Sequence, residues 1–112
     1  MSSVSDKTFS QVVLASPDPI LVHFWAPWCG LCHLITPVFS QVQSEWDNPL
    51  KLVSVNADEN FKLASTYRIK NLPTLILFNN GKVVDRIEDF RGRDDILRCL
   101  SLLQFNLLAR PA

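Results

Sequence analysis

The chain has 112 residues, of which 47% are hydrophobic and 20% charged, and its eleven basic and eleven acidic side chains cancel. This composition is that of a single globular domain over residues 1–112, and it excludes the basic surface of a nucleic-acid-binding protein and a membrane-spanning segment. Three cysteines are too few for a disulfide framework, and residues 1–7 lack the apolar segment of a secretory signal peptide. We therefore expect a cytoplasmic monomer with no nucleic-acid or membrane partner.

The first half of the chain predicts a helix, a strand and a second helix. Ser5 or Asp6 can cap the first helix, which ends before a pair of closely spaced prolines. The apolar run at residues 20–26 predicts a central strand that is covered on both faces. Beyond it, apolar residues at three-and-four spacing predict a long amphipathic helix to about Trp46, kinked by the internal Pro37.

The second half predicts strands that are joined first through a helix and then by a tight hairpin. Parallel strands need crossover connections, whereas a hairpin joins antiparallel strands, so the predicted sheet is mixed and has helices on both faces. The predicted elements are a turn at 47–49, a buried strand at 52–55, a short helix at 63–67, a strand at 74–78, an Asn-Gly hairpin at 79–81, a strand at 82–87, and a helix from Arg93 with an apolar stripe of Ile96, Leu100, Leu103 and Leu107.

The residues that point most directly to chemistry are Cys29 and Cys32, which follow the predicted central strand. Two cysteines three positions apart at the start of a helix lie within bonding range, so they can close and reopen a disulfide. The N–H groups at the start of that helix face the first sulfur and favour its thiolate form. The spacing therefore predicts a redox-active pair at a strand-to-helix junction.

Three segments, in this order along the chain, resemble the thioredoxin family: FWAPWCGLC at residues 24–32, LPT at 72–74 and FNNG at 78–81. The resemblance implies an α/β thioredoxin fold with a central mixed sheet flanked by four helices. Residues 1–4 are too short and polar for the family's usual first strand, so we expect that strand to be short or missing. The implied activity is protein-disulfide reduction, with roles in electron transport and cell redox homeostasis. The resemblance implies no cofactor and no metal, and the expected partners are proteins with disulfides and a thioredoxin reductase.

The resemblance also assigns roles to individual residues near the dithiol. Cys29 is the expected nucleophile, which forms a mixed disulfide with the substrate, and Cys32 then attacks Cys29 and releases the reduced product. A cis bond before the proline of the second segment would leave main-chain groups free to pair with an extended substrate segment. The expected substrate-binding residues are Trp28, Gly30, Leu31, Leu72 and Pro73.

His23 departs from the family pattern, because thioredoxins usually have a buried acid at this point of the strand. A neutral imidazole can replace that acid as proton acceptor for Cys32, and burial would keep it neutral by lowering its pKa. We therefore include His23 among the expected catalytic residues; the alternative is a core histidine with no role. Ser54 stands where the family often has a lysine near the acid, so the buried charge pair is replaced as a unit.

Leu31 and Asp89 are two further departures. The family commonly has proline where Leu31 stands, and leucine adds no charge, which predicts a reducing couple near about −270 mV rather than about −120 mV. Asp89 falls where a substrate-facing glycine is expected, unless Gly92 is its counterpart. Cys99, on the last helix, is expected to be a buried or half-buried free thiol.

Several alternatives to a thioredoxin-like reductase remain open on the sequence. Residues 29–33 fit the haem-attachment pattern CxxCH, although Met1 is the only methionine that could be a sixth ligand. The cysteine pair could be a passive disulfide or half of a zinc site, although the chain has no second CxxC and only two histidines. A thioredoxin-fold adaptor with little catalysis and a disulfide isomerase domain are the other two alternatives.

Overall fold

The computed structural model describes residues 2–44 and 50–109, with side chains as far as residue 104 in the last helix. Its elements are strand β1 (Ser2–Ser3), a π-helix (Ser10–Leu14), β2 (Ile20–Trp25), α1 (Cys32–Gln43), β3 (Lys51–Asn56), α2 (Phe61–Thr66), β4 (Thr74–Asn79), β5 (Lys82–Ile87) and α3 (Arg93–Ala109). The strands form one sheet in the order β1-β3-β2-β4-β5. The first three strands in that order run parallel, while β4 is antiparallel to both β2 and β5. The predicted mixed sheet is confirmed.

The central position of β2 follows from its sequence. Five of its six residues are buried, because the strand is paired on both edges and covered on both faces. Successive side chains of a strand point to opposite faces, so Leu21 and His23 face one layer while Val22 and Phe24 face the other. The carboxyl end of β2 therefore leads straight from the core into the segment that contains the two cysteines.

Two apolar clusters lie on opposite faces of the sheet. The first joins Leu21 of β2 and Leu75 of β4 to buried residues of α1 and α3. The second joins Val22 and Phe24 of β2 to the π-helix and to Leu63 of α2. The prediction of helices on both faces is confirmed, and both layers meet at the strand that ends beside the dithiol.

The N-terminal segment differs from the predicted helix. The helix is a single π-helical turn, in which the N–H of Ala15 donates to the carbonyl of Ser10 at 2.9 Å. The hydroxyl of Ser5 accepts an N–H of the turn that precedes this helix, at 3.3 Å. Neither Ser5 nor Asp6 caps the π-helix, whose N-cap residue is Phe9 and has no side-chain hydrogen bond, so both alternatives of the prediction were wrong. The fold brings the start of α2 against Asp6, and the Asp6 carboxylate bonds there instead.

Asp6 and the start of α2 form a reciprocal pair of hydrogen bonds. The N–H of Leu63 donates to the Asp6 carboxylate at 3.0 Å, and the N–H of Asp6 donates to the amide oxygen of Asn60 at 2.9 Å. Asn60 is the N-cap residue of α2, is buried, and donates its own side-chain N–H to the carbonyl of Asn56 at 2.9 Å. The first turn of α2 is thus fixed to the N-terminal segment.

The two ends of the sheet agree with the sequence predictions. The strand β1 has only two residues, as expected, and its pairing continues with the N–H of Val4 donating to the carbonyl of Ser54 at 2.8 Å. At the other end, Asn80 and Gly81 both have positive φ, 53° and 76°, which is the backbone of the predicted Asn-Gly hairpin. A Cβ at Gly81 would lie 2.7 Å from the carbonyl oxygen of Leu14, so the hairpin packs closely against the π-helix.

The two long helices match their predictions over the described residues. Helix α1 contains Pro37, ends at Gln43 and has Ser44 as its C-cap residue. Trp46 and the predicted turn at 47–49 lie outside the described residues. The kink at Pro37 stays a prediction. On α3, Ile96, Leu100 and Leu103 are buried as expected, while the side chain of Leu107 lies outside the described part.

Candidate active site

The two cysteines lie at the carboxyl edge of β2, where the chain turns into α1. The N–H of Cys29 donates to the carbonyl of Ala26 at 3.1 Å, and Cys32 is the first residue of α1. Their sulfurs are 2.31 Å apart and their Cα atoms 5.3 Å apart, so the pair is a disulfide. The predicted redox-active pair is therefore present at the predicted junction.

The two sulfurs have different surroundings. The N–H of Cys32 donates to the sulfur of Cys29 at 3.2 Å, and the N-cap residue Leu31 makes no side-chain hydrogen bond to the start of α1. The N–H groups of a helix start carry partial positive charge, so this position favours a negative charge on Cys29. Cys29 is 6% exposed and Cys32 is 2% exposed, which makes Cys29 the outer of the two.

Trp28 projects from the segment before the dithiol and is 71% exposed. Its indole N–H donates to the carboxylate of Asp58 at 2.9 Å, and the N–H of Asp58 donates to the side chain of Asn56 at 3.0 Å. The turn that follows β3 therefore fixes the orientation of the ring. Asp58 was missed from the sequence, because a lone acid in a turn 30 residues away gives no local signal.

The peptide bond between Leu72 and Pro73 is cis, as predicted. Thr74, the first residue of β4, pairs with Phe24 of β2, so the bond lies at the same edge of the sheet as the dithiol. The hydroxyl of Thr74 donates to the carbonyl of Asn71 at 2.5 Å, across the cis bond. Pro73 is buried and Leu72 is half-buried.

Asp89 lies on the connection from β5 to α3, beside the segment before the cis bond. Its φ of 62° is in the left-handed region that favours glycine, which agrees with its standing where the family pattern has one. The side-chain N–H of Asn71 donates to its carboxylate at 2.9 Å. This hydrogen bond joins two connections at the dithiol edge of the sheet.

His23 is buried in β2, between Ser54 of β3 and Leu75 of β4 in the strand register. Neither ring nitrogen has a hydrogen-bond partner, so neither is bonded to a sulfur in the disulfide form. Burial lowers the pKa of His23 to about 4, and the nearby imidazole of His33 acts in the same direction. The ring is therefore neutral near pH 7, as predicted, and Ser54 lies beside it as the paired replacement requires.

The remaining polar groups near the dithiol are weaker candidates for chemistry. His33 is exposed, and its ring contacts the carbonyl oxygen of Pro27 at 3.0 Å. Cys99 is a half-buried free thiol, as expected, and burial followed by the charge of Asp95 raises its pKa. Within residues 2–44 and 50–109, no cluster of three or more histidine, cysteine or acidic side chains could hold a metal ion. In the same part of the chain, no helix is long and apolar enough to cross a membrane.

Gly30 and Leu31 separate the two cysteines. Gly30 is exposed, and a Cβ added to it would meet no atom within 4 Å. Leu31 is half-buried and packs against the cluster under α1 and α3. The other predicted substrate-binding residues are Trp28, which precedes the dithiol, and Leu72 and Pro73 at the cis bond. The structure brings all five to one edge of the sheet.

Comparison with known proteins agrees with this geometry. The thioredoxin family model matches residues 1–101. Thioredoxin 1 of Nostoc sp. is 45% identical over 86 residues, which cover 77% of this chain and 80% of that protein. A chloroplastic M-type thioredoxin of Chlamydomonas reinhardtii is 46% identical over 85 residues, 76% of this chain and 61% of that protein. A bifunctional thioredoxin reductase/thioredoxin of Mycobacterium leprae is 39% identical over 104 residues, 93% of this chain and 23% of that protein.

Each of these relatives aligns across the dithiol and most of the sheet that positions it. Because both the family model and these relatives extend over most of the chain, the similarity is to the whole fold and not to one motif. With a disulfide pair at the start of α1 in that fold, the chain belongs to the thioredoxin family and is a thiol–disulfide oxidoreductase that reduces protein disulfides.

Proposed function

We propose that Cys29 attacks the substrate disulfide and that Cys32 resolves the mixed disulfide. The observation that supports this order is the hydrogen bond from the N–H of Cys32 to the sulfur of Cys29, at 3.2 Å. A thiolate at Cys29 would keep that donor and gain the positive end of the helix dipole. The greater exposure of Cys29 also leaves it the sulfur that a large substrate can reach.

The proposed reaction has two exchange steps. The Cys29 thiolate forms a bond to one sulfur of the substrate disulfide, that disulfide breaks, and the departing sulfur takes a proton from solvent. Cys32 then loses its proton, and its thiolate attacks the Cys29 sulfur and releases the second substrate sulfur as a thiol. The substrate gains two electrons and two protons, and the protein is left with the Cys29–Cys32 disulfide. A reductase returns the two electrons.

His23 is the proposed acceptor of the Cys32 proton. Its support is the neutral, buried ring with two nitrogens that no other group occupies. The competing proposal is a core histidine with no part in the reaction. Replacing His23 with alanine should slow resolution and remove the corresponding inflection from its pH profile, while Ser54→Ala, at the neighbouring position of the sheet, should keep it. An unchanged rate and pH profile in His23→Ala would favour the competing proposal.

The proposed docking surface uses the main chain at Leu72 together with Trp28, Gly30, Leu31 and Pro73. The support is their common edge: an extended substrate segment could pair with the main chain before the cis bond while its sulfur reaches Cys29. Trp28→Ala should raise KM for a protein disulfide and leave kcat for a small aromatic disulfide unchanged. Equal kcat and KM for the protein disulfide in variant and wild type would contradict a docking role.

Leu31 sets the proposed redox poise. Because leucine adds no positive charge beside Cys29, the dithiol couple should lie near about −270 mV, at the reducing end of the family's range. A titration of the dithiol against glutathione buffers checks this value. A potential above that of glutaredoxins, about −200 mV, would contradict it.

Three finer features of the proposal concern the protein's setting: a dedicated thioredoxin reductase, a monomeric state and a cytoplasmic location. The relative from Mycobacterium leprae supports the first, because its name joins a thioredoxin reductase and a thioredoxin in one protein. Reduction of the dithiol by a purified reductase with NADPH or ferredoxin as donor tests the first. Sedimentation tests the second, and cell fractionation the third.

A trapping experiment tests the assignment of the two sulfurs. Cys32→Ser should accumulate mixed disulfides with target proteins, whereas Cys29→Ser should form none and should fail to accelerate insulin reduction by dithiothreitol. Cys99→Ser is the matched control and should behave as wild type. Failure of the wild type to accelerate insulin reduction would instead favour the adaptor that binds partners with little catalysis. Trapping by Cys29→Ser in place of Cys32→Ser would reverse the two roles.

A further inference from the structure

Helix α2 belongs to a connection that begins and ends at the dithiol edge of the sheet. The strand β3 ends at Asn56, which pairs with Trp25 at the end of β2, and the N–H of Ala57 donates to the carbonyl of Trp25 at 2.8 Å. The same connection returns to this edge at the cis bond before Thr74. The two ends of the connection over residues 57–73 therefore border the surface from which Cys29 is reached.

Two large apolar side chains are strongly exposed on this border. Phe61, the first residue of α2, is 80% exposed, and Trp28 is 71% exposed. The other large exposed apolar residues of the described chain reach 36–51% and lie on the π-helix, β5 and α3. A phenylalanine side chain with so little buried area adds almost nothing to the stability of the fold. Its position is better explained by a partner molecule that binds over it.

Both rings are held to the same turn. The indole of Trp28 donates to the carboxylate of Asp58, and Phe61 follows Asp58 by three residues, a separation of at most about 11 Å along the backbone. Asn60, the residue before Phe61, is buried and has three hydrogen bonds that fix the backbone beside Phe61. The backbone of Phe61 is thus held in a fixed position, on the side of the dithiol where Trp28 lies.

We infer that Trp28 and Phe61 form a two-ring docking patch for an apolar side chain that neighbours the cystine of a protein substrate. The inference rests on the proposed attack by Cys29, because it takes the patch to be continuous with the surface where the substrate disulfide must lie. The exposed residues Glu59 and Lys62 near Phe61 have opposite charges, and the carboxylate of Asp58 accepts the indole N–H of Trp28. Apolar contact is the property left to discriminate among substrates.

The patch is tested with two peptides that share one intramolecular disulfide and differ in a single residue beside it, leucine or serine. Pre-reduced protein is mixed rapidly with excess peptide, quenched with acid, and the second-order rate constant read by mass spectrometry. Phe61→Ser should slow the reaction with the leucine peptide about fivefold and change that with the serine peptide by less than about twofold. Leu102→Ser, which removes an apolar side chain 51% exposed on α3, is the matched control and should change neither.

The outcomes separate this inference from the reaction on which it rests. Equal rate constants for Phe61→Ser and wild type with the leucine peptide, or equal slowing with both peptides, would overturn the docking patch while leaving disulfide reduction in place. A wild type that reduces neither peptide would contradict the proposed function instead. Sedimentation supplies a second check: if wild type dimerises and Phe61→Ser does not, the patch is covered by a second copy of the chain and the inference is wrong.

Discussion

Helices α1 and α2 both begin without a hydrogen bond from the side chain of their own N-cap residue. At α2, the carboxylate of Asp6 accepts the N–H of Leu63 at 3.0 Å. At α1, the sulfur of Cys29 accepts the N–H of Cys32 at 3.2 Å. Both starts therefore place an electron-rich atom against donors that the helix itself leaves unpaired.

The difference lies in what the acceptor can become. The carboxylate of Asp6 undergoes no redox chemistry, so the start of α2 has the same interaction in every redox state of the protein. In the proposed reaction, the sulfur of Cys29 alternates between disulfide, thiolate and mixed disulfide, so the start of α1 would interact most strongly with the thiolate. Backbone donors of the same kind therefore stabilise the fold at α2 and, in the proposed reaction, favour the reactive form of Cys29 at α1.

The largest expected effect is on thiol reactivity in the reduced protein. At pH 7, iodoacetamide should alkylate Cys29 about a hundredfold faster than Cys99, because the helix start favours the Cys29 thiolate while burial raises the pKa of the Cys99 thiol. Mass spectrometry of quenched samples gives the two rates in one experiment. Similar rates would mean that the start of α1 does not act on the sulfur, and the contrast between the helices would fail.

Two buried polar side chains near the helix starts provide the second test, because both ring nitrogens of His23 lack a partner whereas the amide oxygen and nitrogen of Asn60 are both hydrogen-bonded. The folded pKa of His23, about 4, lies below its ordinary value of 6.5, so the neutral ring stabilises the fold above pH 6.5. That contribution is lost as pH falls from 6.5 towards 4, so the free energy of unfolding at pH 4 is about 3 kcal/mol lower than at pH 7. Urea unfolding at pH 7, 5.5 and 4 should show that the free energy of unfolding of His23→Leu falls by about 3 kcal/mol less than that of wild type between pH 7 and pH 4. Parallel losses would show that His23 is not buried as a neutral ring.

The next effect concerns the carboxylate at α2. Asp6→Ala should lower the free energy of unfolding by about 1 kcal/mol, because the N–H of Leu63 loses its acceptor. Asp6→Asn keeps an oxygen at the same place and should recover part of the loss. Urea denaturation measures both, and the rate of insulin reduction should be unchanged in each. A reduced rate without a loss of stability would break the separation between the two starts.

The smallest effect is expected at the start of α3, where the accepting carboxylate and its charged partner lie within a few residues of each other in the sequence. The carboxylate of Asp95 accepts the N–H of Arg91 at 2.9 Å and forms an ion pair with Arg98, whose side chain is 66% exposed. Exposed ion pairs of this kind add little to stability, so Arg98→Ala should leave the urea midpoint within the scatter of repeat measurements. A clear shift would mean that local acids matter at this helix as much as the remote carboxylate does at α2.

Local sequence signals predicted the parts of the fold that depend on neighbouring residues. The hairpin at Asn80 and Gly81 follows from two positions that require positive φ, and the structure has both. The strand at residues 20–26 follows from an unbroken apolar run, and the observed β2 differs from it by one residue. The cis bond before Pro73 was implied by the family resemblance and is also present.

Contacts between distant residues could not be predicted in the same way. Asp6 reaches α2 across 57 residues, and Trp28 reaches Asp58 across 30, so no short window of sequence contains both partners. The π-helix at Ser10–Leu14 has the apolar spacing of an ordinary helix and differs only in its hydrogen bonds. The sequence could indicate that His23 is buried, whereas its lack of any partner depends on the strands β3 and β4 that pair on either side of it.

At Gly30, folding and substrate recognition place different requirements on the residue. Its φ is not in the left-handed region and a methyl group there would touch nothing in the protein, so the chain itself has no need of glycine between its cysteines. A methyl group at this point would be met only by an incoming molecule, such as the substrate segment proposed to dock beside Cys29. Alanine at position 30 is therefore a change that could alter which proteins the reductase accepts while leaving its packing intact.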